Sequence, residues 1–185
     1  MQSIYFVDSN FTYESSKKSI LSIRYATDGF SFCVHDETEK LVVFVHEPYA
    51  ADSREAAVDR LKNYVVNDAI LNLRFKKVYI MPCFKEKLLV PGAFFDKANI
   101  ATLYTVNQEV APDDTILYHH IEGIEAYLVE TVISSFHDFV REHFSVVQIV
   151  NGAYPFILGA MAKALRDTEQ IFLDIQDNYF DLLFI

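Results

Sequence analysis

Three short, largely apolar runs lie near the start of the chain, where turn signals separate them. The runs cover residues 20–25, 30–35 and 41–46, and all three are rich in β-branched and aromatic side chains. Asp28-Gly29, a pair typical of hairpin turns, separates the first two runs, and a charged segment separates the second from the third. The pattern predicts an antiparallel meander of three strands.

The middle of the chain predicts a helix followed by two strands. A helix is expected over residues 53–72, because five apolar residues recur there at helical spacing and because Asp52 with Glu55 resembles a capping box. Ser53 is the alternative cap. Strands are predicted at residues 77–83 and 87–90, and Pro91 is expected to begin a short helix that extends to residue 98. A polar connection through residues 107–114 follows.

Residues 115–133 fit two patterns. Ile124, Leu128 and Val132 have helical spacing, whereas 115–121 and 127–133 are dense in β-branched and aromatic residues. We predict two strands. The chain then reads as a helix capped by Ser134 or Ser135, a strand at 146–150, a turn at Asn151-Gly152 and a helix at 155–165. This β-α-β-α order is typical of a sheet covered by helices.

The last sixteen residues predict a second hairpin. Residues 170–176 and 179–185 are strand-like, with Asp177-Asn178 between them. Both this hairpin and the first one, at Asp28-Gly29, have an aspartate in the turn and an aromatic residue at the start of the second strand. We interpret this likeness as a weak internal repeat.

Composition and charge exclude several classes of protein. Half the chain is hydrophobic (51%) and it contains 16 Phe and 11 Tyr, which excludes a disordered protein because so many rings must be buried. The net charge of -10 repels phosphate backbones and anionic lipids, so neither nucleic acid nor a membrane is an expected partner. Cys33 and Cys83 are expected to be buried thiols. With no signal-peptide pattern and no membrane-length apolar run, we expect a cytoplasmic protein.

The order of elements resembles the actin-like ATPase and sugar-kinase superfamily, which has two duplicated ribonuclease-H-like domains. More closely, the segments 21–25, 28–32, 89–95 and 172–182 resemble a family of uncharacterised bacterial proteins of actin-like fold. The resemblance implies an α/β (α+β) fold: a ribonuclease-H-like, actin-type domain with a mixed sheet that the meander opens and helices cover. It also implies that residues 1–168 form the first actin-like domain and residues 169–185 the opening hairpin of a second, truncated one.

The two hairpin turns are the candidate cofactor-binding residues. In active members of the superfamily each turn carries an Asp-x-Gly type pattern that lets backbone N–H groups approach the phosphates of Mg-ATP. Here the turns are Asp28-Gly29 and Asp177-Asn178, with altered spacing in the first and no glycine in the second. A bulky ring follows each turn. We therefore expect plain hairpin turns, no bound cofactor and no catalytic residue.

Other chemistries lack a supporting pattern. The first strand carries Arg24 and no carboxylate, which argues against a two-metal nuclease. Neighbouring His119 and His120 point to opposite faces of a strand, so they cannot chelate one ion, and no metal site is expected. The sequence favours a degenerate actin-like module that acts on a protein partner or on its missing second domain, through residues 180–185. The alternative is an ATP-dependent phosphotransferase or ATPase whose site a second domain completes.

Overall fold

The computed structural model describes residues 2–165, 168–176 and 179–185. These residues form two compact units, one of Met1–Phe84 with Ile133–Val150 and the other of Lys85–Val132 with Asn151–Ile185. The strands are β1 (Ile4–Val7), β2 (Ile20–Ala26), β3 (Gly29–His35), β4 (Leu41–Pro48), β5 (Lys77–Pro82), β6 (Lys87–Pro91), β7 (Asp114–Ile121), β8 (Ala126–Ile133), β9 (Val147–Ile149), β10 (Ile171–Ile175) and β11 (Phe180–Phe184). The α-helices are α1 (Tyr13–Ser16), α2 (Arg54–Asn67), α3 (Ile100–Asn107), α4 (Ser134–His143) and α5 (Ala153–Lys163).

A six-stranded mixed sheet forms the centre of the first unit. Its strand order is β1-β4-β3-β2-β5-β9. The predicted meander is confirmed: β2, β3 and β4 are antiparallel neighbours, while β5 runs parallel to β2 and β9 parallel to β5. Successive side chains of β2 point to opposite faces of the sheet. Leu21 and Ile23 are therefore fully buried, while the residues on either side of them are partly exposed. The α/β fold class is therefore confirmed.

Helix α2 is shorter than the predicted helix over 53–72. It begins after Ser53, whose hydroxyl accepts a hydrogen bond from the Ala56 N–H, so Ser53 and not Asp52 is the cap. It ends because Asp68 adopts an extended conformation, and its carboxylate accepts hydrogen bonds from the N–H groups of Ile70 and Leu71. An aspartate that satisfies the backbone in this way competes with continued helix.

The second unit contains a three-stranded sheet, a two-stranded hairpin and helices α3 and α5. The three-stranded sheet has the order β6-β8-β7, and β10 pairs with β11 in an antiparallel ladder. The pair of strands predicted across residues 115–133 is confirmed as β7 and β8, and the terminal hairpin is confirmed as β10 and β11. Helix α3 was not predicted; Tyr104 anchors it, fully buried in a cluster with Val90 and Val129.

Three smaller predictions need correction. Pro91 is the last residue of β6 and does not begin a helix; two short 3₁₀ turns, Gly92–Phe94 and Lys97–Asn99, follow it. Ile133 precedes α4, without a side-chain capping bond, and Ser134 and Ser135 are already inside that helix. Cys83 is buried as predicted, whereas Cys33 is only partly buried. Of the helices formed by the described residues, none is long and apolar enough to cross a membrane.

Candidate functional site

The first predicted phosphate turn is occupied by an ion pair. The Asp28 carboxylate accepts from both terminal nitrogens of Arg24, at 3.2 and 3.3 Å, and both side chains are about a quarter exposed. Two parallel bonds of this kind fix both groups and neutralise the carboxylate. Asp28 is thus engaged by a cation from its own hairpin, at the position where the resemblance implies a contact with Mg²⁺.

Gly29 allows strands β3 and β4 to pair closely. It pairs with Pro48 in the β3–β4 ladder and has φ of +148°. A Cβ atom at this position would lie 2.6 Å from the Glu47 carbonyl oxygen, so only glycine allows β4 to approach so closely. The following residue, Phe30, is buried with its ring centroid 4.5 Å from that of Tyr64. The close packing of β4 explains the glycine without any ligand.

The second predicted turn, Asp177-Asn178, lies outside the described residues, and the strands on either side of it carry an exposed apolar face. Three cross-strand pairs form that face: Ile171 with Phe184, Leu173 with Leu182, and Ile175 with Phe180. Each of the six side chains is between 55% and 78% exposed. We call these six residues the hairpin face. Because side chains alternate along a strand, the residues between them point to the opposite side.

That opposite side of the hairpin is partly buried and carries charge. Asp174 and Asp181 are direct cross-strand neighbours. The Asp181 carboxylate lies 2.8 Å from the Lys87 ammonium of β6, and that ammonium also lies 4.8 Å from the centre of the Tyr179 ring. The Lys87 side chain is only 14% exposed. The hairpin is therefore joined to the three-stranded sheet by a largely desolvated ion pair.

A buried carboxyl lies beside this ion pair. Glu130, in the central strand β8, is directly opposite Lys87 in the β6–β8 ladder and is 2% exposed. Its Oε2 atom accepts a 2.9 Å hydrogen bond from the Asn151 side-chain amide, and Asn151 in turn accepts one from the Ala153 N–H at the start of α5. Asn151 therefore fixes the carboxyl against the first turn of that helix.

The other oxygen of Glu130 faces a histidine. Glu130 Oε1 lies 3.8 Å from His119 Nε2, and neither atom has a hydrogen-bond partner among the described residues. Burial raises the pKa of the Glu130 carboxyl from its ordinary 4.5 to about 7, although the hydrogen bonds from Asn151 oppose that rise. Burial also lowers the pKa of His119 below its ordinary 6.5. Glu130 was not identified from the sequence. The pattern that could have indicated it is a single acidic residue within the mostly apolar strand β8.

An apolar cavity of about 340 Å³ lies between α5, the β7–β8 turn and β11. Its walls are the side chains of Ile124, Ile157, Met161, Ala164, Leu183, Phe184 and Ile185. No lining residue is charged, so the cavity offers shape and apolar contact without a polar group that would orient a small molecule. The cavity borders the hairpin face at Phe184.

Metal binding has no support among the described residues, where no three His, Cys, Asp or Glu side chains are arranged to hold an ion. His119 and His120 have separate surroundings: the ring of His119 lies 6.2 Å from that of Tyr154, and the ring of His120 lies 5.0 Å from that of Tyr127. Their expected placement on opposite faces agrees with these different neighbours.

Comparison with known proteins identifies the family. The model of the family described as "Protein of unknown function (DUF3822)" matches residues 8–185. The chain belongs to DUF3822. This DUF3822 chain is also similar to a solved structure from Bacteroides thetaiotaomicron VPI-5482, described as a protein with actin-like ATPase fold and unknown function. The TM-score is 0.84 at 20% sequence identity, over 95% of this chain and 68% of that one. No curated protein matches the chain.

These comparisons confirm the resemblance seen in the sequence. The chain has the actin-like ATPase fold, and the implied family of unknown function is correct. Neither finding bears on the candidate phosphate turns, whose role stays a prediction. The division into residues 1–168 and 169–185 also stays a prediction.

Proposed function

We propose that this DUF3822 protein is an actin-like module without competent ATP chemistry, and that it acts by binding another protein through the hairpin face. The observation that carries the proposal is the exposure of all six apolar side chains on one side of β10 and β11. Contiguous apolar surface of this kind is rare on monomeric proteins unless it binds something.

The size of the hairpin face suits a protein partner. If each of the six side chains contributes roughly 100 Å², the face presents roughly 600 Å², at the upper end for the largest patch of a typical monomer. A standard protein interface buries about 800 Å² on each side. The adjoining cavity, lined by Leu183 and Met161 among others, adds apolar surface that can receive one bulky side chain of the partner.

The hairpin also offers backbone hydrogen bonds. Among the described residues the β10–β11 sheet has two strands only, so each strand has an outer edge without a ladder partner. A two-stranded sheet is marginally stable by itself, and addition of a third strand would stabilise it. The partner chemistry that fits is an extended protein segment with alternating apolar side chains, paired to the edge of β11.

The geometry of the first turn supports the absence of ATP chemistry. Arg24 neutralises Asp28 with two hydrogen bonds, and Gly29 is required for the approach of β4. Both residues thus have structural roles that need no phosphate. The proposal includes the assignment of residues 169–185 to the start of a second actin-like domain; the similar Bacteroides chain has about a third of its length outside the match.

The rival proposal is an ATP-dependent phosphotransferase or ATPase whose nucleotide site is completed by that second domain. Under this view Mg-ATP is the cofactor, and Asp28 and Asp177 are both needed. If Mg-ATP hydrolysis or transfer is detected and then abolished in an Asp28→Ala, Asp177→Ala double variant, the rival is supported. Unchanged activity in the double variant removes it.

Site-specific photocrosslinking in cells tests the binding proposal. A crosslinking amino acid replaces Leu182 of the hairpin face, and a matched control replaces Val106 of α3, which is also exposed. We expect one specific crosslinked protein from position 182 and none from position 106. Leu173→Lys should weaken the affinity for that protein, once purified, by about thirtyfold or more, since interface anchors each contribute 2 kcal/mol or more. Crosslinks confined to the protein's own chain would overturn the proposal, because a second domain would then cover the face.

A further inference from the structure

Two buried polar atoms of the second unit face each other without a hydrogen bond. Glu130 Oε1 and His119 Nε2 are 3.8 Å apart and unpartnered among the described residues. Such atoms are uncommon in native proteins, and each needs an explanation. Neither atom belongs to the hairpin face or to the candidate phosphate turns, so the pair can be tested whether or not the hairpin face binds a protein.

The number of protons on this pair decides whether it is charged. A protonated Glu130 can donate from Oε1 to a neutral His119, and the pair then has no net charge. Loss of that proton leaves a carboxylate that accepts from the Nε2–H tautomer of His119, and the pair then has a charge of -1. In either state a hydrogen bond requires these two atoms, now 3.8 Å apart, to approach to about 3 Å.

Lys87 links the His119–Glu130 pair to the hairpin electrostatically. Lys87 is directly opposite Glu130 in the β6–β8 ladder, and its ammonium lies 2.8 Å from the Asp181 carboxylate. When Glu130 is neutral, Lys87 balances Asp181. When Glu130 is ionised, a second carboxylate shares Lys87, and it repels both Asp181 and Asp174, which lies next to Asp181 across the hairpin.

We propose that the His119–Glu130 pair is a proton-sensitive site that sets, through Lys87 and Asp181, how tightly the hairpin β10–β11 is held on the second unit. Lys87 of β6 lies directly opposite Glu130, the Asn151 side chain donates a hydrogen bond to Glu130, and the Tyr154 ring of α5 lies 6.2 Å from that of His119. Asp181 and its cross-strand neighbour Asp174 are linked to the pair through Lys87. Of these, only Lys87 is a cation. The raised pKa of Glu130, about 7, places the response near neutral pH.

Hydrogen exchange of the hairpin amides at different pH values tests the proposal. After correction for intrinsic exchange, we expect amides of residues 171–175 and 180–184 to lose protection by roughly ten- to twentyfold between pH 5.5 and pH 8. A loss of this size corresponds to a repulsion of about 1.4–1.8 kcal/mol, which is in the range expected for charges near a protein surface. Glu130→Gln should abolish this pH dependence, while the matched control Glu122→Gln, at an exposed position, should keep it.

A second variant keeps the test independent of how well Glu130→Gln folds. Asp181→Asn removes the hairpin carboxylate that shares Lys87 with an ionised Glu130, so its hairpin protection should change with pH much less than that of the unsubstituted protein. The carboxyl carbon of Glu130, followed by ¹³C NMR in that variant, should still titrate near neutral pH. Titration of this carbon near pH 4.5, or hairpin protection in Glu130→Gln with the pH dependence of the unsubstituted protein, would overturn the proposal.

Discussion

Replacement of Glu130 by glutamine should change how the stability of the protein depends on pH. Glutamine resembles the protonated glutamate, and its carbonyl oxygen can still accept the hydrogen bond from Asn151. Because the pKa of Glu130 is about 7 in the folded protein and 4.5 ordinarily, the unfolded chain releases this proton first as the pH rises. The stability that Glu130 contributes is therefore complete below pH 4.5 and is lost as the pH rises to about 7.

The magnitude follows from the same two values. The pKa of Glu130 differs by about 2.5 between the folded protein and its ordinary value. At 1.36 kcal/mol for each pKa unit, this difference corresponds to about 3 kcal/mol for this buried group. Glu130→Gln should thus have nearly the stability of the unsubstituted protein at pH 4.5 and be about 3 kcal/mol more stable than it at pH 8. His119, whose pKa is lowered, contributes a slope of the opposite sign, but that contribution is largely cancelled in the comparison of the two proteins.

Urea unfolding of both proteins at a series of pH values from 4.5 to 8, followed by circular dichroism, measures this difference. The control is Glu122→Gln, where the exposed side chain should leave the pH dependence unchanged. A difference between Glu130→Gln and the unsubstituted protein that stays constant from pH 4.5 to pH 8 would refute the reasoning, because it would show that folding does not change the pKa of Glu130.

Two further substitutions test the fold around the first hairpin and helix α2. Gly29→Ala should lower the free energy of unfolding by at least about 2 kcal/mol, since its Cβ would lie 2.6 Å from the Glu47 carbonyl oxygen at a positive φ. The matched control is Gly159→Ala, inside α5, where the new Cβ has open space around it. This control should raise the free energy of unfolding by about 0.5–1 kcal/mol. A similar loss at both glycines in thermal unfolding would contradict this account of Gly29. Ser53→Ala should lower the free energy of unfolding by about 1 kcal/mol, the usual effect of a lost helix cap, whereas Asp52→Ala should lower it little. If urea unfolding shows the larger loss for Asp52→Ala, then Asp52 is the cap.

The meander was predictable because its two faces differ. Along β2 and β3 buried and partly exposed residues alternate except at the turn, where Ala26 and Gly29 are also buried, so the sequence pattern reports the fold directly. Strand β1 lacks this signal, since three of its four residues are exposed, and it was not predicted. Its position depends on pairing with β4, which no local pattern reveals.

Helix boundaries were less predictable because side chains at the ends compete with the backbone. The apolar spacing through Leu71 predicted a longer helix than α2, but the carboxylate of Asp68 captures two backbone N–H groups and ends it. Helix α3 is only eight residues long, and its buried residue, Tyr104, packs against strands distant in sequence. Short helices of this kind depend on tertiary contacts more than on local preference.

The candidate site was only partly visible in the sequence. The hairpin was predictable because two strand-like apolar runs flank Asp177-Asn178, and the second run includes the segment from Phe180 to Ile185. The cluster around Glu130 was not, because it assembles residues from β6, β7, β8, α5 and β11 whose proximity follows from strand order. An acid within the buried strand β8 was the available signal, since an unpaired charge is rarely buried.

Calorimetric titration of the protein with Mg-ATP tests the central claim most directly. We expect no binding heat at millimolar nucleotide, because Asp28 is hydrogen-bonded to Arg24 and Gly29 is needed for the close approach of β4 to β3. The same titration on Arg24→Ala is the companion measurement, and release of Asp28 alone should not create a site. Binding of Mg-ATP with a micromolar dissociation constant, lost in the Asp28→Ala, Asp177→Ala double variant, would contradict the claim that this actin-like module has no ATP chemistry.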